Sequence, residues 1–266
     1  IHHPLHIDLQ NALERSQSFI KKLRFVMSYP LKMQEIVSKF TDHLITVSQA
    51  SRIKIAQCFP VPVAKITPVF NGVDQQKFKQ LKNVKRKRHT ILFVGNIEDG
   101  NKGFIYLLKA LSRVSIDCIL YVIDGGAPHR KITTKVVKEL NLEDKIVFIG
   151  KTSIKKLVNY YNSVRAVVMP SLFEGFGLPA VEAMACGTPV IAAKGGALPE
   201  VVGDAGIIVP VRDPDALADA IELMIQNDEL WSICQQRSLQ RTQALFSWEK
   251  VGHQLVDVYK RVTGDI

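Results

Sequence analysis

The sequence predicts an α/β protein built on a parallel, doubly wound sheet. From Thr90 onward, short apolar runs rich in valine and isoleucine alternate with segments of helical periodicity, which is the pattern of repeated βαβ units. Most of these runs end in a loop that carries glycine. Ligands of such sheets bind outside the carboxyl ends of the strands, so we expect a binding site among the glycine-bearing loops.

The first 75 residues predict part of a smaller α/β unit. The chain opens on Ile1-His-His-Pro-Leu, without Met, and reads like the end of a strand, so we expect a fragment of a longer protein. The elements expected next are helices from Asp8 to Lys39 interrupted at Pro30, a strand from Asp42 to Ser48, a helix from Gln49 to Phe59 with Ser48 as N-cap, and a strand from Lys65 to Asp74 that ends in an Asn-Gly turn.

A complete second unit is expected over residues 90–245, after a linker at residues 76–89. Its strands are expected at Ile91–Gly95, Cys118–Ile123, Lys145–Ile149, Val164–Met169 and Thr188–Ala192. One helix is indicated by the helical spacing of Phe104, Leu107, Leu108 and Leu111. A short helix is expected at Leu198 after Gly195-Gly196, and another begins at Asp213-Pro214 with an apolar stripe of Leu217, Ala220, Ile221, Met224 and Ile225.

The formal charge of +10 suits anionic partners, such as nucleic acid, a membrane face or phosphorylated substrates. The densest basic cluster is Lys85-Arg-Lys-Arg88, which we interpret as a solvated part of the linker. No aromatic residues alternate with this cluster, although a nucleic-acid platform requires them. We therefore expect no nucleic-acid partner.

The cysteines are far apart and form no Cys-x-x-Cys pair: Cys58, Cys118, Cys186 and Cys234. This spacing predicts buried thiols in a reducing compartment, not a zinc site or a disulfide scaffold. No apolar run reaches about 18 residues, the length that indicates a transmembrane helix.

The most informative stretch is Pro170-Ser-Leu-Phe-Glu-Gly-Phe-Gly-Leu-Pro-Ala-Val-Glu182. It leads from the end of a buried strand into a helix with Pro179 at its first position. At such a helix start the dipole favours a phosphate, which we expect to be held by the backbone N–H groups of Phe176, Gly177 and Leu178. Close approach of the ligand is allowed by two residues without side chains, Gly175 and Gly177.

Two glutamates flank this phosphate seat. Glu174 lies in the loop and Glu182 about one turn into the helix, with seven residues between them. A carboxylate beside a phosphate is unfavourable unless it binds another group. Sugar hydroxyls are the obvious partner, because ionised carboxylates accept hydrogen bonds strongly.

The Glu-x7-Glu spacing within Glu-Gly-Phe-Gly-Leu-Pro resembles the motif of retaining, nucleotide-sugar-dependent glycosyltransferases of family 4. That family has the GT-B fold of two Rossmann-like domains. The resemblance implies that Glu174 contacts the donor sugar and that Glu182 contacts the ribose of the nucleotide.

The same resemblance assigns the domains. Thr46-Val-Ser48 and Asn71-Gly-Val-Asp74 resemble the last part of the family's N-terminal domain. The implied assignment is the C-terminal part of that acceptor-side domain at residues 1–75, the donor-binding domain at residues 90–245, and a closing helix that crosses back toward the first domain at residues 246–266. In many relatives a histidine at a strand end lines the cleft near the donor sugar. One of His2 and His3 is expected to be that residue, and we take His3 as the catalytic candidate.

A second loop, Gly95-Asn-Ile-Glu-Asp-Gly-Asn-Lys-Gly103, carries the other candidate residues. It is not an NTPase phosphate-binding loop, which needs Gly-x4-Gly followed directly by Lys and then Ser or Thr. The family pattern is Gly-Arg, a short turn and Lys-Gly, which Gly95 and Lys102-Gly103 fit. Asn96 stands where the family usually has Arg, and the loop is one residue longer. Without that Arg, donor binding is expected to weaken by roughly ten- to a hundredfold unless another base compensates.

The expected activity is transfer of a sugar from a nucleoside-diphosphate-sugar donor to an acceptor hydroxyl with retention of configuration. Lys102 and the helix amides are expected to stabilise the leaving diphosphate, and no metal or other cofactor is expected. The acceptor is left open among glycans, lipid-linked sugars and other hydroxyl compounds. The expected location is cytoplasmic, with peripheral contact to the cytoplasmic membrane face left open. Two alternatives remain: another GT-B sugar-nucleotide enzyme such as an epimerase, and a non-catalytic sugar-nucleotide-binding module.

Overall fold

The computed structural model describes residues 31–125 and 131–264. The chain divides into two compact units, which are described separately. The first lies within Ile1–Asn71 and Trp248–Ile266, and the second is Gly72–Ser247. The candidate His3 and its neighbour His2 lie outside the described residues.

The elements of both units are numbered here in chain order. The helices are α1 Leu31–Phe40, α2 Gln49–Cys58, α3 Phe104–Leu111, α4 Lys131–Glu139, α5 Ile154–Ser163, α6 Leu178–Ala185, α7 Leu198–Val202, α8 Pro214–Gln226, α9 Asp228–Leu245 and α10 Trp248–Thr263. The strands are β1 Leu44–Thr46, β2 Ile66–Pro68, β3 Lys87–Val94, β4 Ile119–Ile123, β5 Ile146–Phe148, β6 Val164–Met169, β7 Val190–Ala193 and β8 Gly206–Val209.

The first unit contains β1 and β2 as a two-stranded parallel sheet. α2 begins at the expected cap, because Ser48 Oγ accepts a hydrogen bond from the backbone N–H of Ser51 at 3.0 Å. One small core joins α2 to the two strands and consists of Leu44, Ile55, Phe59, Val61 and Ile66. A second cluster joins α10 to the chain after β2 and consists of Val69, Val251 and Val258.

The expected Asn-Gly turn does not form at Asn71-Gly72. The chain turns a few residues later, where Asp74 Oδ1 accepts hydrogen bonds from the backbone N–H groups of Gln76 at 3.0 Å and Lys77 at 3.2 Å. An aspartate that binds the backbone two residues ahead fixes a turn through its own side chain. Asp74 therefore sets this turn in place of the Asn-Gly pair.

The second unit is a six-stranded parallel sheet in the order β5-β4-β3-β6-β7-β8. The chain runs outward from β3 to β5 on one side and from β6 to β8 on the other. The direction of winding therefore reverses between β3 and β6, which pair through Leu92 and Val167. This confirms the doubly wound sheet, and it puts the switch point between the loops that follow β3 and β6.

The core of the second unit is built around β6, whose six residues are all buried. The apolar residues of the flanking helices join it in one cluster. In α3 the predicted positions Phe104, Leu107, Leu108 and Leu111 are buried. In α8 the predicted stripe is buried as well, and Asp213 Oδ1 caps the helix by accepting a hydrogen bond from the backbone N–H of Ala216 at 3.0 Å.

Lys85, Lys87 and Arg88 of the basic run are exposed, as expected from the sequence, but Arg86 is inserted into the second unit. Its guanidinium donates hydrogen bonds to Thr188 Oγ1 at 2.7 Å and to the backbone carbonyls of Gly187 at 2.8 Å, Cys186 at 3.0 Å, Val164 at 3.0 Å and Tyr161 at 3.4 Å. Desolvation lowers the pKa of the guanidinium to about 10, so it stays charged at neutral pH. Arg86 thus binds the carbonyl-rich ends of α5 and α6, where helix dipoles favour a cation.

The four cysteines are free thiols, and Cys118, Cys186 and Cys234 are buried as expected, whereas Cys58 is partly exposed. Burial raises the pKa of the Cys118 and Cys186 thiols to about 12, so both stay protonated at neutral pH. Within residues 31–125 and 131–264, no helix combines the length and the apolar composition needed to cross a bilayer.

Candidate functional site

Two predicted residues meet at the switch point of the sheet. Lys102 ends the loop after β3, and Glu174 lies in the loop after β6. Lys102 Nζ lies 2.8 Å from Glu174 Oε1, with 28% of the lysine side chain and 10% of the glutamate side chain exposed. A largely buried carboxylate and a partly exposed ammonium group therefore stand side by side where ligands of such sheets bind.

Ser171 is a third member of this cluster that sequence reasoning missed. Its buried hydroxyl donates a hydrogen bond to Glu174 Oε1 at 2.8 Å. The signal in the sequence is the position of Ser171, three residues before Glu174 and directly after β6 and Pro170. Lys102 and Ser171 together fix the glutamate carboxylate in one orientation.

Asn101 joins the two loops and was also missed. Its backbone carbonyl accepts a hydrogen bond from the N–H of Leu172 at 2.8 Å, and its side-chain amide donates to the carbonyl of Phe173 at 2.7 Å. In the sequence, Asn101 only interrupts a phosphate-binding-loop pattern. In the fold it brings Lys102 to Glu174.

A third loop, after β7, holds Glu174 from the other side. The carbonyl of Glu174 accepts a hydrogen bond from the N–H of Ala197 at 2.9 Å, and its own N–H donates to the carbonyl of Gly195 at 3.4 Å. A Cβ atom at Gly195 would lie 2.3 Å from the Ser171 carbonyl oxygen, so only glycine fits at this crossing. The Gly195-Gly196 turn, expected only as the start of a short helix, is part of the site.

The start of α6 is where the sequence predicts a phosphate seat. Gly177 adopts a φ of 99° as the N-cap residue, and no side chain caps the helix. No residue in the described part of the chain accepts a hydrogen bond from the N–H of Leu178 or Gly177. Phe176 is buried and packs edge-on against Phe246 at 5.7 Å, which anchors the loop just before these two N–H groups. Gly175 precedes it, partly exposed.

Glu182 lies one turn into α6 and takes no part in the Lys102–Glu174 ion pair. Its Oε2 accepts a hydrogen bond from the Tyr161 hydroxyl at 2.8 Å. Desolvation raises the pKa of Glu182, and the hydrogen bond from Tyr161 opposes that shift. Burial and the neighbouring carboxylate raise the pKa of Tyr161 well above its usual value, so the phenol stays protonated and acts as the donor.

Asn96 is exposed and shapes its own turn. Its Oδ1 accepts a hydrogen bond from the N–H of Glu98 at 3.0 Å, and its carbonyl accepts one from the N–H of Asp99 at 3.2 Å. The preceding Gly95 is tied to β4 through the Ile123 carbonyl at 3.0 Å. Any contact of position 96 with a donor remains a prediction.

An Asp-x-Asp spacing, whose two carboxylates could bind a metal ion, occurs at Asp213-Pro-Asp215. In this fold Asp213 is the cap of α8, and Asp215 forms an ion pair with Arg113 at 2.7 Å. Among the described residues, no three side chains of the metal-binding types lie close enough together to hold an ion.

Residues 74–241 match the family model of glycosyl transferases group 1, which covers more than half of the chain. The chain belongs to this family. Its match to a relative supports this: the chain is 31% identical over 266 residues to "MMP alpha-(1->4)-mannosyltransferase" of Mycolicibacterium hassiacum, with 98% of this chain and 64% of that protein covered. The group 1 chain thus spans less than two thirds of that relative.

Solved structures show the same architecture. Sucrose-phosphate synthase from Thermosynechococcus elongatus superposes with a TM-score of 0.83 at 26% identity, over 100% of this chain and 67% of that one. Anabaena HepE, solved in complex with UDP-glucose, superposes with a TM-score of 0.76 at 21% identity, over 85% of this chain and 65% of that one. The group 1 chain has the α/β architecture of GT-B glycosyltransferases.

Glu182 gives the group 1 chain a pH-dependent weakness. The pKa of Glu182 in the folded state is raised above 4.5, so as pH rises Glu182 loses its proton in the unfolded chain before it does so in the folded chain. The free energy of unfolding therefore falls between the two pKa values and stays lower at higher pH. Glu182→Gln cannot ionise and keeps an oxygen acceptor for Tyr161. We expect the variant to melt at a higher temperature than the wild type at pH 7 and at the same temperature at pH 4.

Thermal denaturation followed by circular dichroism from pH 4 to pH 8 measures this difference. The matched control is Glu143→Gln, which changes an exposed glutamate and is expected to show no such pH-dependent gain. A Glu182→Gln variant that is less stable than the wild type at pH 7 would contradict the assigned direction of the pKa shift.

Proposed function

We propose that the chain is the donor-binding part, with a portion of the acceptor-side domain, of a retaining glycosyltransferase of family 4. The observation that carries the proposal is the Lys102–Glu174 ion pair at the switch point. An ammonium group pairs with phosphate and a carboxylate accepts hydrogen bonds from hydroxyls. The pair thus offers adjacent partners for the phosphate and the sugar of one donor molecule. The UDP-glucose complex of HepE and the mannosyltransferase name of a relative support a nucleotide-sugar donor.

Stabilisation of the leaving diphosphate is assigned to Lys102 and the start of α6. Negative charge grows on the diphosphate as the bond to the sugar breaks. Fixed positive charge aimed at that position lowers the barrier without reorganisation during the reaction. The N–H groups of Gly177 and Leu178 add to the lysine charge through the helix dipole. We propose that no metal or other cofactor takes part, because these groups supply the positive charge.

We propose that retention arises from attack on the face that the diphosphate leaves, as the resemblance to family 4 implies. The acceptor oxygen forms its bond to the anomeric carbon as the bond to the diphosphate breaks, and the departing phosphate oxygen takes the hydroxyl proton. Glu174 holds the sugar through its hydroxyls, with its carboxylate oriented by Ser171 and Lys102. Glu182 holds the ribose. His3 keeps its candidate role near the sugar.

The acceptor is proposed to be a glycan, a lipid-linked sugar or another hydroxyl compound, and no nucleic acid is expected. We propose a cytoplasmic location with peripheral contact to the membrane face. The formal charge of +10 supports such contact, since basic proteins are attracted to anionic lipid headgroups.

Calorimetric titration of the chain with UDP, GDP and ADP tests the donor site. One of these nucleotides is expected to bind with a Kd below about 1 mM, because a few charge-assisted contacts are sufficient for that affinity. Absence of binding by all three at millimolar concentration would rule out the donor-site assignment.

Turnover of matched nucleotide-sugars with hydroxyl acceptors, followed by NMR of the anomeric proton, tests the reaction. A product with the donor's anomeric configuration supports retention. An inverted product contradicts it, and conversion of the sugar-nucleotide without any acceptor points instead to an epimerase.

A further inference from the structure

Tyr161 is the residue whose position the proposed chemistry has not yet explained. It lies near the end of α5, its side chain is completely buried, and its ring packs 6.2 Å from that of Phe78. A tyrosine enclosed in this way needs a hydrogen-bond partner for its hydroxyl. The partner is Glu182 Oε2, at 2.8 Å.

The backbone of Tyr161 is held as firmly as its ring. Its carbonyl accepts hydrogen bonds from Thr188 Oγ1 at 2.6 Å and from the Arg86 guanidinium at 3.4 Å. The phenol cannot follow Glu182 if the glutamate rotates, because ring and backbone are both fixed by the core. The hydrogen bond therefore orients the glutamate and not the tyrosine.

The opposite oxygen of Glu182 is the one available to a ligand. With Oε2 bound to the phenol, the remaining oxygen is held in one orientation. A ligand hydroxyl that binds this fixed oxygen loses less conformational entropy than a hydroxyl that must first order a free glutamate side chain. Among the described residues, Cys186, the C-cap residue of α6, also interacts electrostatically with Glu182. The phenol is thus the group that holds the glutamate in one orientation.

We propose that Tyr161 is a positioning residue that aims Glu182 at the ribose hydroxyls, and so sets how strongly the site prefers a ribonucleotide over one without these hydroxyls. The inference rests on the proposed function, in which Glu182 binds the ribose. Tyr161 itself is not expected to touch the donor.

The test compares the affinity of UDP, GDP and ADP with that of their 2′,3′-dideoxy counterparts, measured by calorimetry. For the nucleotide that binds, the Kd of the dideoxy form divided by the Kd of the ribo form reports the contribution of the ribose hydroxyls. Tyr161→Phe keeps the ring and removes the donor, so it is expected to lower this ratio by roughly 2- to 12-fold, the usual range for one hydrogen bond. The dideoxy Kd itself is expected to stay unchanged.

Two further variants make the result specific. Tyr160→Phe alters the neighbouring tyrosine, whose ring contacts Tyr121, and is expected to leave the ratio unchanged. Replacement of Tyr161 by p-aminophenylalanine keeps the shape and a weaker donor, so its ratio is expected to fall between those of tyrosine and phenylalanine. This variant also decides the matter if Tyr161→Phe does not fold.

Each outcome is informative. Equal weakening of ribo- and dideoxy-nucleotides in Tyr161→Phe would mean a purely structural role and overturn the inference. Glu182→Ala separates this from the proposed function: if it lowers the ratio and Tyr161→Phe does not, only the positioning role of Tyr161 is wrong. If Glu182→Ala leaves the ratio unchanged, the ribose assignment of Glu182 fails and the inference fails with it.

Discussion

Gly103→Ala is expected to destabilise the second unit by about 3–5 kcal/mol, the largest stability effect of any single substitution considered. Gly103 has a φ of 67°, and a Cβ atom there would lie 2.0 Å from the carbonyl oxygen of Pro170. Neither backbone segment can move away without cost, because Gly103 directly follows Lys102 and Pro170 directly precedes Ser171, and both of these residues hold Glu174. The melting temperature is expected to fall by on the order of 10 °C, measured by circular dichroism.

Gly150→Ala is the matched control for the backbone strain alone. Gly150 has a similar φ of 74°, but no atom lies within 4 Å of the position that its Cβ would occupy. The control is therefore expected to cost only about 1–2 kcal/mol, the usual penalty for left-handed backbone. Equal losses in the two variants would show that the loops after β3 and β6 can separate without cost.

Lys102→Met is expected to have the largest effect on function. It removes the charge that pairs with Glu174 at 2.8 Å and, in the proposed reaction, with the diphosphate. Nucleoside diphosphate affinity is expected to fall by about ten- to a hundredfold, the worth of one charge-assisted hydrogen bond. Turnover is expected to fall further, on the order of 10²- to 10³-fold, because the leaving group carries more negative charge in the transition state of the proposed reaction than in the bound donor.

Two variants separate binding from folding in this experiment. Lys109→Met changes an exposed lysine of α3 and is expected to leave nucleotide affinity unchanged. In Lys102→Met the mostly buried Glu174 keeps its charge without its cation, which is destabilising. Adding Glu174→Gln is expected to restore the melting temperature without restoring nucleotide affinity. Recovery of affinity in the double variant would mean that Lys102 acts only by neutralising Glu174.

The sheet and the two central loops could be predicted because their signals are local. β6 is apolar at five of its six positions, with Arg165 as the exception, and the glycines and glutamates follow it directly in the chain. Parallel strands bring their carboxyl ends together, so a lysine after one strand and a glutamate after another are expected to meet. The Lys102–Glu174 contact follows from that rule, although these residues lie 72 positions apart.

The partners that orient these residues could not be predicted in the same way. Arg86 was interpreted as solvated, since a basic run gives no indication of which carbonyls remain without donors at helix ends 75 to 101 residues away. Tyr161 carries no sign that its hydroxyl reaches Glu182, and Asn101 resembles an insertion. Such roles depend on tertiary geometry that hydrophobic periodicity does not encode.

The helix α9 was missed for a different reason. The residues that it buries are Cys234, Ser238 and Thr242, spaced by four but small or polar. A helix that buries such residues has no apolar stripe, and apolar spacing is the pattern that predicts a helix. Its N-cap gave the available signal: Asn227 Oδ1 accepts a hydrogen bond from the N–H of Leu230 at 2.8 Å.

The two ends of the second unit are hydrogen-bonded to each other. The N–H of Val73 donates to the carbonyl of Phe246 at 2.8 Å, and Val73 forms a parallel bridge with Ser247. A folded piece whose two ends emerge side by side can be cut out and inserted into another chain at a single site, because it needs no span between its ends. Gly72–Ser247 can therefore be exchanged as one piece between related chains. In the proposed function, such an exchange replaces the donor specificity and keeps the acceptor recognition of the host.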